Sequence, residues 1–178
     1  MGRSSSVRFW DLCFKYGTDK WKYADFYEKW EGVWRGKVRK ILEFGIQGGS
    51  SLMLWNEWFP NADVVGVDSA AFNRRFTPDL KAETIVGRQE DPAVLKDLMR
   101  RGPYDVIVDD AGHVFAHQIV TFNALKDLTD LYVIEDVRPD DVPKWKDVGL
   151  EMRRKDSLSS ATPEYILCYE RVKEKSNG

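Results

Sequence analysis

The sequence is poor in the residues that build metal clusters and disulfide frameworks, with two cysteines and two histidines in 178 residues. Cys13 and Cys168 lie far apart among apolar neighbours, a spacing that fits buried reduced thiols better than a disulfide framework. No apolar run approaches the roughly 20 residues of a membrane-spanning helix. Met1 to Val7 is polar and lacks the apolar core of a signal peptide, so the expected location is the cytoplasm, with no membrane partner. An excess of one charge is also missing. Twenty-seven basic against 29 acidic side chains leave a formal net charge of -2, which removes any global field drawing the protein to nucleic acid. Repeats and low-complexity segments are absent.

The chain length suits one compact domain. Its expected parts are an N-terminal helical cap (1–37), a core (38–172) and a charged tail (173–178). Two aromatic-rich helical patterns open the chain, Phe9 to Tyr16 and then Tyr23 to Trp34, both near the 3.6-residue period. Gly17 stops the first, and Thr18 or Asp19 can cap the second. The aromatic stripe of the second suits core packing, with a ligand wall as the alternative.

From Val38 short apolar runs alternate with helical periods, the signature of βαβ units. Expected strands are Lys40 to Phe44, Val64 to Val67, Glu83 to Val86, Tyr104 to Val108, Tyr132 to Ile134, Gly149 to Arg153 and Tyr165 to Glu170. Ser50 or Ser51 caps a helix over Leu52 to Phe59, Asp91 and Pro92 open Val94 to Arg101, and Val114 to Leu128 carries a longer stripe. After the fifth strand the rhythm shortens, and Ser157 to Pro163 forms a loop. The expected fold is therefore Rossmann-like α/β: a seven-stranded, mostly parallel sheet with an antiparallel edge strand and helices on both faces.

Three constellations sit at the carboxyl ends of the expected strands, where open α/β sheets bind ligands. The first is Glu43-Phe44-Gly45-Ile46-Gln47-Gly48-Gly49-Ser50-Ser51, a strand entering a glycine-rich turn. A dinucleotide loop needs glycines at 45, 47 and 50 to admit a pyrophosphate, and Gln47 and Ser50 occupy two of these places. The Glu43 carboxylate would repel a pyrophosphate but suits a ligand bearing an ammonium and a sulfonium, as S-adenosylmethionine does. Gly45, Gln47, Gly49 and Ser50 are then cofactor-lining positions. Asp68, ending the second strand, can accept from ribose hydroxyls, or cap the turn before Ser69. Gln89, after the third strand, is placed to meet the adenine, although Asp91 beside it also reads as a helix cap.

The second constellation, Asp109-Asp110-Ala111-Gly112-His113, follows the fourth strand and is joined by His117, spaced i and i+4 from His113. Adjacent carboxylates repel, so one of the pair faces the site and the other supports the turn. Asp109 is assigned to the cofactor and Asp110 to chemistry. The third, Glu135-Asp136, ends the fifth strand. Asp110, Glu135 and Asp136 would converge as three hard oxygen ligands suited to Mg²⁺, with His113 beside them as general base. Solvated strand ends are the alternative. Zinc held by His113, His117 and an acidic residue is a further alternative, although the hallmark His-Glu-x-x-His motif is absent.

Tyr-Gly-Thr-Asp-Lys at 16–20, Ile-Leu-Glu-Phe-Gly-Ile-Gln-Gly-Gly-Ser at 41–50, Trp-Phe-Pro-Asn-Ala at 58–62, Gly-Val-Asp at 66–68, Asp-Asp-Ala-Gly-His at 109–113 and Val-Ile-Glu-Asp at 133–136 occur in one order. In this the sequence resembles the metal-dependent sugar O-methyltransferases of macrolide tailoring and their shorter bacterial relatives. The resemblance implies a class I methyltransferase fold, S-adenosylmethionine as methyl donor, and Mg²⁺ on residues matching Asp110, Glu135 and Asp136. It also implies a catalytic histidine matching His113 and a small-molecule hydroxyl acceptor such as a sugar, in a protein free to form a homo-oligomer. Two other functions remain open at this point. One is methyl transfer to nucleic acid or protein nitrogen, for which the chain lacks an Asn/Asp-Pro-Pro-Tyr/Phe tetrapeptide after the fourth strand. The other is a non-catalytic cofactor-binding or partner module.

Overall fold

A computed structural model describes residues 8–70, 80–146, 148, 150–154 and 165–171. The expected loop Ser157 to Pro163, the tail after Val172 and Gly149 lie outside the described residues. Seven strands run as β1 (Lys40–Phe44), β2 (Asp63–Asp68), β3 (Ala82–Val86), β4 (Tyr104–Asp109), β5 (Thr129–Val137), β6 (Glu151–Arg154) and β7 (Tyr165–Glu170). They form one sheet in the order β3-β2-β1-β4-β5-β7-β6. The first five strands of that order are mutually parallel. β7 is antiparallel to both β5 and β6, so the antiparallel strand lies inside the sheet and β6 forms the edge. The expected antiparallel addition at one edge is this β7–β6 pair, with β7 covering the long β5, whose backbone donors and acceptors would otherwise be left open.

The chain moves outward from β1 through β2 to β3 and returns to place β4 on the other flank of β1. That reversal opens a crevice beyond the ends of β1 and β4.

Successive strand residues point to opposite faces, and here the parity sorts two cores. Ile41, Val106, Val108, Leu131 and Val133 face one layer with Phe9, Tyr27, Trp55 and Trp58. Leu42, Phe44, Ile107, Tyr132 and Ile134 face the other, with Leu98, Phe122 and Trp145. The first layer is built by α1 (Phe9–Tyr16), α2 (Ala24–Lys29), α3 (Glu31–Trp34) and α4 (Ser50–Trp58), and the second by α5 (Pro92–Arg101), α6 (Phe115–Leu125) and α7 (Val142–Lys146). Phe9 stacks on Tyr27 at 4.7 Å between centroids, and Tyr27 meets Trp55 at 5.3 Å. The aromatic-rich start of the chain is thus clamped onto the sheet by ring contacts.

Several local readings are refined. Gly17 ends α1 in the left-handed region (φ 67) and the Thr18 hydroxyl accepts from the Lys20 amide. The second aromatic pattern is not one helix. A 3-10 turn over Asp19–Tyr23 leads into α2, and α2 and α3 are separate pieces. Asp91 caps α5 by accepting from the Ala93 amide, with Pro92 at the first position. Neither Ser50 nor Ser51 caps α4. Gly49 stands there with φ 81 and no side-chain bond, because the chain must cross from β1 through a left-handed turn that glycine adopts without steric cost.

Candidate active site

The glycine turn after β1 is shaped by a close approach. A side-chain carbon on Gly45 (φ +83) would lie 2.2 Å from the backbone oxygen of Asp110, so the β1 and β4 ends touch through bare backbone. Asp68 then holds the turn from the other side. Its Oδ2 accepts from the Ile46 amide at 3.0 Å and the Gln47 amide at 2.9 Å, while Oδ1 accepts from the Ala70 amide at 3.0 Å. Beneath the turn lies a cleft of about 310 Å³, lined by Gln47, Asp68, Gly87, Gln89, Gly112 and His117 among others. Its size falls at the lower end for small-molecule sites.

A second, more polar cavity of about 220 Å³ adjoins it, roofed by Gly17, Thr18 and Asp19 and bordered by Ser50 and Asp136. Gly45, Gln47, Asp110 and His113 line both spaces. These four residues form the shared boundary.

Parity decides which acidic side chains meet. Register pairs Glu43 with Val108 and Val108 with Val133, so Glu43, Asp110 and Glu135 all fall on the face of the N-terminal helices. Three carboxylates on one buried face require a cation, and it is Lys20. The Lys20 side chain is fully buried, with Nζ 3.0 Å from Glu43 Oε1, 2.9 Å from Asp110 Oδ2 and 2.8 Å from Glu135 Oε2. It also stands 5.8 Å from the centroid of the Trp55 ring. Burial alone would lower the ammonium, but Asp110, Glu135 and Glu43 together override it and hold Lys20 well above its ordinary value. Burial pushes the Glu135 and Glu43 carboxyls upward, against the pull of Lys20. One ammonium does not balance three acids.

Glu43 Oε2 accepts from the Ser51 hydroxyl at 2.6 Å. Glu135 Oε1 accepts from the Tyr27 hydroxyl. Both carboxylates are therefore turned inward.

Asp136 behaves differently because β5 carries a register shift between Ile134 and Val137. Such a bulge re-aims a side chain that regular alternation would send to the other face. Asp136 adopts φ 52, and its carboxylate accepts from the Tyr23 hydroxyl on the same side as Glu135. His113 is likewise left-handed, with φ 46. Non-glycine residues held this way cluster at functional sites. Asp110, His113 and Asp136 each offer a ligand atom within 4.8 Å of the others. The His113 Nδ1 is buried and has no hydrogen-bond partner.

Asp109 points to the opposite face. It is fully buried, with Oδ2 accepting from Gln89 Nε2 at 2.9 Å and from the Tyr132 hydroxyl at 3.3 Å. Burial pushes its carboxyl up to about 7. Gln89 is tied in turn to Thr121 at 3.2 Å.

The structure thus brings Asp110, His113 and Asp136 together. It leaves three expected members elsewhere: Glu43 is buried against Lys20 and Ser51 and lines neither cavity, Glu135 is engaged by Lys20 and Tyr27, and Asp109 supports the turn from behind through Gln89 and Tyr132. His113 and His117 do not share a helix face, since only His117 lies on α6, where its Nε2 is 3.7 Å from Glu90 Oε1. Gly49 contributes its backbone to the turn, and Ser50 borders the second cavity rather than the cleft. Sequence reasoning missed Lys20, Tyr23 and Tyr27. The available signal was parity, because three acids of one face call for a cation, and Lys20 ends the Gly-Thr-Asp-Lys tract.

No protein-family model matches the chain. Among curated proteins, an 8-demethyl-8-alpha-L-rhamnosyl tetracenomycin-C 2'-O-methyltransferase of Streptomyces olivaceus is 34% identical over 71% of this chain and 37% of its own length. A mycinamicin VI 2''-O-methyltransferase of Micromonospora griseorubida is 32% identical over 69% of this chain and 33% of its own. Among solved structures, the methyltransferase MycE of the mycinamycin pathway, in complex with Mg, SAH and mycinamycin VI, superposes with a TM-score of 0.67. It is 31% identical over 75% of this chain and 38% of that one. The chain spans about a third of the length of these proteins.

The parallel sheet, the switch-point crevice and the glycine turn define the class I methyltransferase fold. Within that class, this chain is similar in sequence to part of the tetracenomycin-type and mycinamicin-type O-methyltransferases.

Proposed function

We propose that this chain carries the catalytic core of an S-adenosylmethionine-dependent O-methyltransferase that uses a divalent cation, Mg²⁺ by its hard donors, to modify a hydroxyl of a sugar or similar small acceptor. The observation that supports this reading is the Asp110, His113 and Asp136 group on the boundary between two cavities. The cleft under Gln47, Asp68 and Gln89 takes the methyl donor. The polar cavity roofed by Gly17 to Asp19 takes the acceptor.

The residues fit a divalent ion. Two carboxylates, Asp110 and Asp136, on neighbouring strand ends supply oxygen donors within 4.8 Å of one another, and His113 stands beside them. Asp110 and Asp136 would hold the ion, with Glu135 reaching it only by leaving Lys20. A bound cation there would lower the pKa of the acceptor hydroxyl.

Every other step falls to the chain. The Gly45 to Gln47 backbone, pinned by Asp68, sets the donor's position in the cleft. Gly17 to Asp19 line the acceptor space. The His113 imidazole takes the hydroxyl proton. The acceptor oxygen then attacks the methyl carbon in line, and the carbon–sulfur bond breaks as the carbon–oxygen bond forms, leaving a neutral thioether. No covalent enzyme intermediate is needed.

Among the described residues no helix is long and apolar enough to cross a membrane, and the balanced charge suits a small acceptor over nucleic acid. Calorimetric titration with S-adenosylmethionine, with and without Mg²⁺, tests the proposal: cofactor binding is expected, and its absence in both conditions would end it.

A further inference from the structure

Lys20 is not explained by charge neutralisation alone. It comes from the turn that roofs the acceptor cavity, and it reaches the ends of β1, β4 and β5 at once through Glu43, Asp110 and Glu135. Asp110 is shared, since Oδ2 lies on the ammonium while the same carboxylate belongs to the Asp110, His113 and Asp136 group. A divalent ion drawn to that group meets a positive charge already seated on one of its ligands. Like charges in a low-dielectric interior repel strongly.

We infer that Lys20 is a positioning residue that serves as the site's resident cation: it keeps the carboxylates assembled in the metal-free protein and, through the same charge, limits how tightly the site holds a divalent ion. The inference rests on the metal reading above. It explains why the acids of three strand ends can be buried together at all, since unpaired buried charges are costly. It also separates the cluster into an inner pair, Glu43 and Glu135, and an outer pair, Asp110 and Asp136. The second contact of Glu135, from Tyr27, keeps that division in place.

The test replaces the charge and reads metal affinity instead of turnover. Mn²⁺ binding to the wild-type chain, Lys20→Gln and Lys20→Met is followed by the electron paramagnetic resonance of free Mn²⁺, together with thermal unfolding in its presence and absence. The neutral variants should unfold at lower temperature without metal, bind Mn²⁺ at least about tenfold more tightly than wild type, and gain more in melting temperature from it. A lysine that only holds the fold together would give the opposite sign, with weaker metal binding. Lys20→Arg keeps the charge and should stay within about twofold of wild type.

Equal or weaker Mn²⁺ binding in the neutral variants, while wild type binds, overturns this inference and leaves the metal reading standing. An Arg variant that tightens binding as much as Gln overturns it too, as does failure of both neutral variants to fold even with Mn²⁺ added. Absence of Mn²⁺ binding in every form removes the metal reading and this inference with it.

Discussion

Tyr23 and Asp136 are joined twice. The Tyr23 hydroxyl donates to Asp136 Oδ1 and accepts from the Asp136 backbone amide at 3.1 Å. One phenol therefore fixes both the side chain and the left-handed backbone of a residue placed at the centre of the site. Tyr23→Phe removes both bonds while preserving the ring. The expected result is a fall in kcat of tenfold or more with S-adenosylhomocysteine affinity unchanged within about twofold, and a stability loss of about 1–3 kcal/mol from the unsatisfied partners. Steady-state kinetics, calorimetry and urea unfolding check the three parts.

Asp136→Ala goes further by deleting the carboxylate. Methyl transfer should be abolished, while cofactor affinity stays within about tenfold, or roughly 1.4 kcal/mol. Chelation of wild-type protein with EDTA should reproduce the loss, and Mg²⁺ should restore activity to wild type but not to the variant. Unchanged turnover in the variant would remove the metal claim.

Asp68→Ala releases the Ile46 and Gln47 amides from their shared acceptor. Bonds to a charged group each contribute about 1.5–3 kcal/mol, so the turn should loosen and cofactor affinity should fall by about tenfold to a hundredfold. Asp68→Asn keeps an acceptor oxygen and should lose less. Calorimetry on the pair separates loop anchoring from any contact to the cofactor.

Gly45→Ala places a carbon against the Asp110 carbonyl at a backbone angle that side-chain-bearing residues rarely adopt. The β1 and β4 ends must then separate. A destabilisation of roughly 3 kcal/mol, read by thermal or urea unfolding, should accompany loss of cofactor binding.

Cys13 is buried, and burial together with the nearby Glu135 pushes its thiol up to about 12. Its folded pKa is raised, so the reactive thiolate is scarce at pH 8 and is released only when unfolding restores the ordinary value. Ellman's reagent should therefore leave Cys13 unmodified in the native protein and react once guanidinium unfolds it. Mass spectrometry of the labelled peptide gives the readout.

Much of the fold can be traced to local signals. β1 and β7 start and stop where apolar runs meet turn residues, Asp91 and Pro92 open α5, and Gly17 closes α1. The ends of β5, the break between α2 and α3, and the cap of α4 escaped, because each depends on how the chain crosses a neighbour instead of on its own periodicity.

The acidic residues show the same division more sharply. Short apolar runs alternating with helical periods, together with glycines at the ends of β1 and β4, are enough to specify a parallel α/β sheet, a ligand turn at its switch point and carboxylates at the strand ends. The partners of those carboxylates were settled by tertiary structure alone. The parity of each strand sends Asp109 behind the turn and Asp110 into the site, the bulge in β5 turns Asp136 away from the far face, and packing of the first helices delivers Lys20, Tyr23 and Tyr27. Burial makes each of these pairings obligatory, since an ion or hydroxyl removed from water must find its counterpart in space, however far apart the two lie along the chain.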